Sequence, residues 1–180
     1  MELVRPAAAV LSKSTQRSAL TEDEFRLLYE RTVRPLRAYL YRMLNDNSRA
    51  DDVLQETYLR FLQARVPTEM SEEHRKNYLF RIATNLLHDE ARARKTAPLK
   101  DYPCSSDVAE DVRERNDSAR YLQQLTIRQR KLLWLAYVER FTHKEIAEML
   151  GVKAPSIRPM LARARESLSE ILKRGGLGSR

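Results

Sequence analysis

The sequence predicts an all-α protein built as two small helical domains joined by an extended linker. Three observations carry that prediction. Only 4 of the 180 residues are glycine, while Leu, Ala, Arg and Glu, which suit helices, are abundant. Apolar residues recur at three- and four-residue spacing, the period of a helix with one buried face, in several separate stretches. Between two groups of such stretches lies an acidic, proline-bearing segment that keeps no period. A chain of this length buries one good core or two small ones.

Residues 1–20 read as a flexible tail, because the short Ala-Val-Leu stretch follows Arg5 and Pro6 without the layout of a signal peptide. Thr21 and Glu24 then form a capping box ahead of Phe25, Leu28, Val33, Leu36, Leu40 and Met43, the apolar stripe of a long first helix. The polar Asn45-Asp46-Asn47 stretch stops it. Ser48 and Asp51 offer a second capping box before Val53, Leu54, Thr57, Phe61 and Leu62, and Pro67 ends that second helix. Residues 68–76 are polar enough for a loop. Leu79, Ile82, Ala83, Leu86 and Leu87 mark a third helix, whose other faces carry Arg75, Lys76, Arg81, His88, Arg92, Arg94 and Lys95. This is the cationic helix, and it completes a first domain over 21–95.

Residues 96–117 read as a linker that becomes helical toward its end. Pro98, Pro103, Ser105 and Ser106 break any period there, and Asp101, Asp107, Glu110, Asp111, Glu114 and Asp117 outweigh Lys100, Arg113 and Arg115. In the second domain, 118–174, Thr126 and Gln129 cap a helix bearing Leu132, Leu133 and Ala136. Thr142 and Glu145 cap another, bearing Ile146, Ala147, Met149 and Leu150 and closed by Gly151. Ile157, Met160, Leu161, Ala164, Leu168 and Ile171 mark a final helix from Ser156 to Lys173. Residues 175–180 read as a loose tail.

Charge narrows the function. A formal net charge of +8 and a pI near 9.8 favour a polyanionic partner, nucleic acid first. Cys104 is the only cysteine, which excludes an internal disulfide and a zinc site built on cysteine pairs and suits a reducing cytoplasm. No apolar run approaches the roughly 20 residues that span a bilayer, so no stable membrane insertion is expected. No metal or cofactor motif is present.

The most specific local signal is Ala147, Gly151 and Ile157, four and ten residues apart. A small Ala lets two helices approach, Gly supplies the positive φ of a tight turn, and Ile plugs the second helix onto the first, as in a helix-turn-helix. Lys153, Ser156, Arg158, Arg163 and Arg165 would then face a major groove. A plain helical hairpin with a solvated basic face is the competing reading. Pro155 and Pro159 crowd the start of this helix. With Ser156 as N-cap, Pro159 falls where no intrahelical N–H is needed, so a late or distorted start is expected.

Three stretches now stand in order: Ala50-Asp51-Asp52-Val53-Leu54-Gln55-Glu56-Thr57-Tyr58-Leu59-Arg60, then Tyr78-Leu79-Phe80-Arg81-Ile82-Ala83-Thr84-Asn85-Leu86, then residues 137–147 with Leu161-Ala162-Arg163-Ala164-Arg165. Together they resemble the extracytoplasmic-function (ECF) class of bacterial RNA polymerase sigma factors, over roughly 25–95 and 118–173. The resemblance implies that Asp51, Asp52, Gln55 and Glu56 bind the basic clamp of core RNA polymerase. It implies that region 2 melts and reads the minus-ten element through Arg75, Lys76, Tyr78, Phe80, Arg81, Asn85 and Arg92, with the rings available to an unstacked base. Region 4 would read the minus-thirty-five element through Lys153, Ser156, Arg158, Arg163 and Arg165. Implied partners are promoter DNA, double- and single-stranded, core polymerase and an anti-sigma factor, with no small-molecule substrate. The linker would thread toward the polymerase cleft, and residues 65–77 match the segment that selects a minus-ten base. Because aromatics at helical spacing are usually core, at least one of Tyr78 and Phe80 is expected to be buried. The family tends to have Trp where Tyr78 stands, a small or polar residue at Pro159 and often Ser at Lys153.

An enzyme would need His88, Asp89 and Glu90, or His74 with Glu72 and Glu73. Neighbours on a helix point apart, and no nucleophile or phosphate loop accompanies them. An operator-binding regulator and a basic adaptor without sequence preference remain as rivals. A second DNA-facing surface together with the acidic helix at Asp51 separates the sigma reading from both.

Overall fold

The computed structural model describes residues 20–64, 66–67, 69–96 and 120–175, with the side chains of 91–96 outside the description. Helix α1 (Glu22–Leu44) opens on the expected capping box, in which the Thr21 hydroxyl accepts from the Glu24 N–H and the Glu24 carboxylate accepts from the Thr21 N–H. Asn45 ends it in the left-handed region at φ 55°. Pro35 lies inside α1 without ending it.

Helix α2 (Asn47–Gln63) starts one residue before the expected Ser48 cap. Asp46 adopts an extended backbone and its carboxylate accepts from the Arg49 N–H at 3.1 Å, so Asp46 is the N-cap and Asp51 takes no part in capping. Leu62, expected in the core, is 46 % exposed because the buried stripe runs through Ala50, Val53, Leu54, Thr57, Tyr58 and Phe61. Helix α3 (Glu72–Thr96) also begins earlier than expected, inside the supposed loop. Ser71 explains it, since its hydroxyl accepts from the His74 N–H and its carbonyl from the Arg75 N–H, while Glu72 and Glu73 suit the positive end of the helix dipole.

These three helices pack as a bundle around Leu36, Leu40, Phe61, Leu79, Phe80 and Ala83, all wholly buried. Each large apolar side chain so covered contributes about 1.5–3 kcal/mol. Buried hydroxyls are satisfied within the bundle: Tyr39 pairs with Thr84 at 2.9 Å and Tyr58 with Thr32 at 2.7 Å. Burial pushes both phenols upward, Tyr58 to about 12.

In the second module, after helical residues 120–123, α4 (Ile127–Leu133) is capped by Thr126 and Gln129 as expected and runs on into a π-helical turn at Trp134–Val138 that no sequence signal announced. Helix α5 (His143–Leu150) opens on the Thr142–Glu145 capping box and closes on Gly151 at φ 64°. Helix α6 (Ala154–Arg174) starts at Ala154 with Lys153 as N-cap, which overturns the expected late start at Ser156. Pro155 falls in the first turn, where its missing N–H has no intrahelical role, and Pro159 is carried inside the helix.

Both modules bury residues in one continuous apolar cluster. The Phe80 ring of α3 meets Phe141, just before α5, edge-on at 5.2 Å. The two small helical domains expected from the sequence thus pack against each other. The segments read as the tails and the linker, 1–20, 96–117 and 175–180, lie outside the described residues except for Leu20, Thr96 and Gly175.

Candidate nucleic-acid interface

The turn between α5 and α6 is a helix-turn-helix. Ala147 is 3 % exposed and Ile157 wholly buried, so α6 sits close on α5. The N–H groups of Gly151 and Val152 both donate to the Ala147 carbonyl, which tightens the turn. The buried stripe of α6, Ile157, Leu161 and Ala164, leaves its opposite faces to solvent. Lys153, Arg158, Arg163 and Arg165 are exposed there and Ser156 is half-buried. Arg158 and Arg165, seven residues apart, share one flank, and Ser156 and Arg163 share the other. None of the four cations pairs with a described carboxylate.

On α3 the expected residues divide. Arg81 and Asn85 are exposed one turn apart. The Arg81 guanidinium lies over the Tyr78 ring at 4.8 Å, and Tyr78, half-buried, leans on Phe61 at 6.0 Å. Phe80 is wholly buried between Tyr39 and Phe141, which corrects its placement on an outward DNA-facing surface. Lys76 turns to the second module, with its ammonium 3.0 Å from Glu139 and over the rings of Phe80 and Phe141. Arg75, only 11 % exposed at its side chain, approaches Glu24 at 3.8 Å. The Asn77 amide donates to Glu145 of α5. The side chain of Arg92 lies outside the described residues.

The acidic face of α2 is on the surface. Asp52 and Gln55 are exposed, and Glu56 pairs with Arg60 one turn on. Asp51 is gripped through two bonds by Arg37 of α1, at 2.6 and 3.0 Å, and these hold its carboxyl below the ordinary range. Asp52 is thus the freer anion.

Sequence reasoning missed the residues where the modules meet. Arg130 of α4 is 8 % exposed, and its guanidinium donates to the carbonyls of Leu122, Gln123, Leu125, Arg42 and Met43. The last two close the C-terminal end of α1, where the helix dipole favours a cation. Glu139, 4 % exposed at its side chain, accepts from the Trp134 indole and pairs with Lys76. Arg130 has no sequence signal, since its acceptors on α1 lie 88 and 87 positions away.

A helix-turn-helix with exposed cations on α6 thus stands beside a three-helix bundle with exposed acids on α2 and an exposed Arg81 on α3. Family models for sigma-70 region 2 and sigma-70 region 4 match residues 28–96 and 119–168. The chain is 26 % identical over 160 residues to RNA polymerase sigma factor SigZ of Bacillus subtilis, covering 81 % of this chain and 85 % of that one. To the ECF sigma factor SigM of the same organism it is 25 % identical over 169 residues, covering 87 % and 98 %. Its fold resembles that of the Bartonella quintana sigma factor RpoE, solved with the anti-sigma factor NepR, with a TM-score of 0.65 and 21 % identity over 84 % of this chain and 98 % of the other. The chain belongs to the ECF class of sigma-70 family RNA polymerase sigma factors. It carries the two regions of a promoter-specific initiation factor, a regulatory and non-catalytic family. No helix among the described residues is long and apolar enough to cross a membrane.

Proposed function

We propose that residues 21–95 act as region 2, docking on core RNA polymerase through Asp51, Asp52, Gln55 and Glu56 and capturing the melted minus-ten strand along α3. Residues 118–174 act as region 4, placing α6 in the major groove of the minus-thirty-five element, with 96–117 as the acidic strap between them. The single observation that carries this reading is the exposed cationic set Lys153, Arg158, Arg163 and Arg165, without a partner among the described carboxylates, on the second helix of a helix-turn-helix. Arg supplies bidentate pairing to guanine, and the remaining cations hold phosphates. On α3, Arg81, Tyr78 and Asn85 offer a guanidinium, a ring and an amide within two turns, the chemistry that an unstacked base requires. The sigma factor of Bartonella quintana is solved with an anti-sigma factor, and a partner of that kind is proposed for this chain too.

Transcription by core polymerase on a panel of promoters tests the reading. Initiation should depend on both this protein and the promoter. Asp52→Ala should weaken the complex with core, and Arg163→Ala should weaken upstream-element occupancy by about 1–3 kcal/mol if it reads a guanine. Absence of any core complex together with promoter-independent output would defeat the proposal.

A further inference from the structure

We propose that Pro155, Pro159 and Ala162 form an apolar strip along the outer line of α6 that reads the C5-methyl groups of thymines, so that the upstream element selected by this protein carries thymine beneath the strip. The inference deepens the reading of α6 as a major-groove helix and rests on it.

Helical geometry places the strip. Ile157, Leu161 and Ala164 fix the buried side of α6. Pro155, Pro159 and Ala162, spaced by four and then three residues, fall on the opposite side, and all three are exposed. Arg158 and Arg165 border the strip on one flank and Arg163 on the other. One turn beyond Ala162 the exposed Glu166 lies on the same line and ends the strip, since a carboxylate is repelled by phosphate. An apolar line bordered by cations on both sides complements the floor of a major groove lying between two phosphate walls.

Base chemistry decides which pairs can lie under such a line. On the groove floor guanine shows two acceptors, cytosine an amino donor and adenine one of each, whereas thymine sets a methyl group beside its O4. The two proline rings and the alanine methyl carry no donor or acceptor. Over a G·C pair they would strip water from polar edges and replace it with nothing. Over a thymine they exchange water for apolar contact, and burial of one methyl group accounts for roughly 4-fold in affinity. The proline rings are rigid, so the contact costs little side-chain entropy.

The test uses core RNA polymerase loaded with the full chain. Promoter duplexes randomised over both elements are selected by the wild-type holoenzyme. The recovered sequence is then resynthesised with deoxyuridine at each upstream thymine in turn, which deletes the methyl and keeps the base pair. Wild type should lose roughly 4-fold at each thymine under the strip. Pro159→Ser, which exchanges the ring for a small polar chain, should bind the thymine and deoxyuridine duplexes alike at one of these positions, and Ala162→Ser should do so at a neighbouring one. Arg163→Ala should weaken binding to both duplexes in the same proportion, leaving the methyl effect intact. The strip is overturned if the selected upstream sequences lack thymine, if wild type is indifferent to every deoxyuridine, or if the methyl effect survives in both serine variants. A loss on Arg163→Ala in any of those cases keeps α6 as a DNA-binding helix. No enriched upstream sequence together with no loss on Arg163→Ala would instead defeat the reading of α6 itself, and the strip with it.

Discussion

Arg130 and Lys131 are consecutive cations that point inward from α4, at 8 % and 2 % exposure, and they are accommodated in different ways. Arg130 exchanges water for five carbonyl oxygens, whereas burial alone pushes the Lys131 ammonium down to about 8 from its ordinary 10.5. Its folded pKa lies below its unfolded one, so below about pH 8 the folded protein bears the full cost of the charge. Between about 8 and 10.5 the unfolded chain binds more protons, and stability rises with pH across that window. Lys131→Met is thus expected to stabilise the fold at pH 7 by on the order of 1–3 kcal/mol, with the gain shrinking toward pH 10. Urea denaturation at the two pH values checks this, and an equal gain at both would refute the electrostatic origin. In the sequence only Leu132, Leu133 and Ala136 stand out on this helix, and neither cation does. What decides their burial is packing against α1 and the 122–125 turn, and no local pattern encodes that.

At the scale of elements, legibility followed how local the deciding interaction was. Thr21, Thr126 and Thr142 each found the partner three residues on that the sequence pairs with them, and the helix-turn-helix followed from Ala147, Gly151 and Ile157. The helix starts at Asp46 and Ser71 were misplaced because several adjacent Asn, Asp and Ser residues can cap, and backbone geometry outside the helix selects among them. The start of α6 was misjudged for a different reason: two prolines argue locally for a break, but the burial of Ile157, Leu161 and Ala164 against the rest of the module outweighs them. The cost remains in the helix, where Pro159 cannot donate to the carbonyl four residues back and its ring crowds that carbonyl. Pro159→Ala should therefore raise stability by ~1 kcal/mol or more, less than the ~3 kcal/mol propensity gap because proline also restrains the unfolded chain. A lowered melting temperature would show that the proline ring makes a packing contribution instead.

For the whole molecule, the question is whether two modules that share one apolar cluster melt as one. The contact at Phe80–Phe141 and the Lys76–Glu139 pair join their faces, but among the described residues only Arg130 binds backbone of both, with Arg42 and Met43 on one side and Leu122, Gln123 and Leu125 on the other. Removing it leaves five carbonyls without that donor and frees the C-terminal end of α1, a loss that falls on the junction rather than on either core. Region 2 keeps its own three-helix bundle and region 4 its helix-turn-helix, so each retains a reason to stay folded. Wild type should therefore unfold in one calorimetric transition, whose van't Hoff and calorimetric enthalpies agree. Arg130→Met should split it in two, with total enthalpy nearly conserved and the region 4 transition, from the smaller core, at the lower temperature. A single transition merely shifted downward would mean that the apolar contact alone couples the modules, and Arg130 would then be a structural cation of α4 rather than the joint between the two halves.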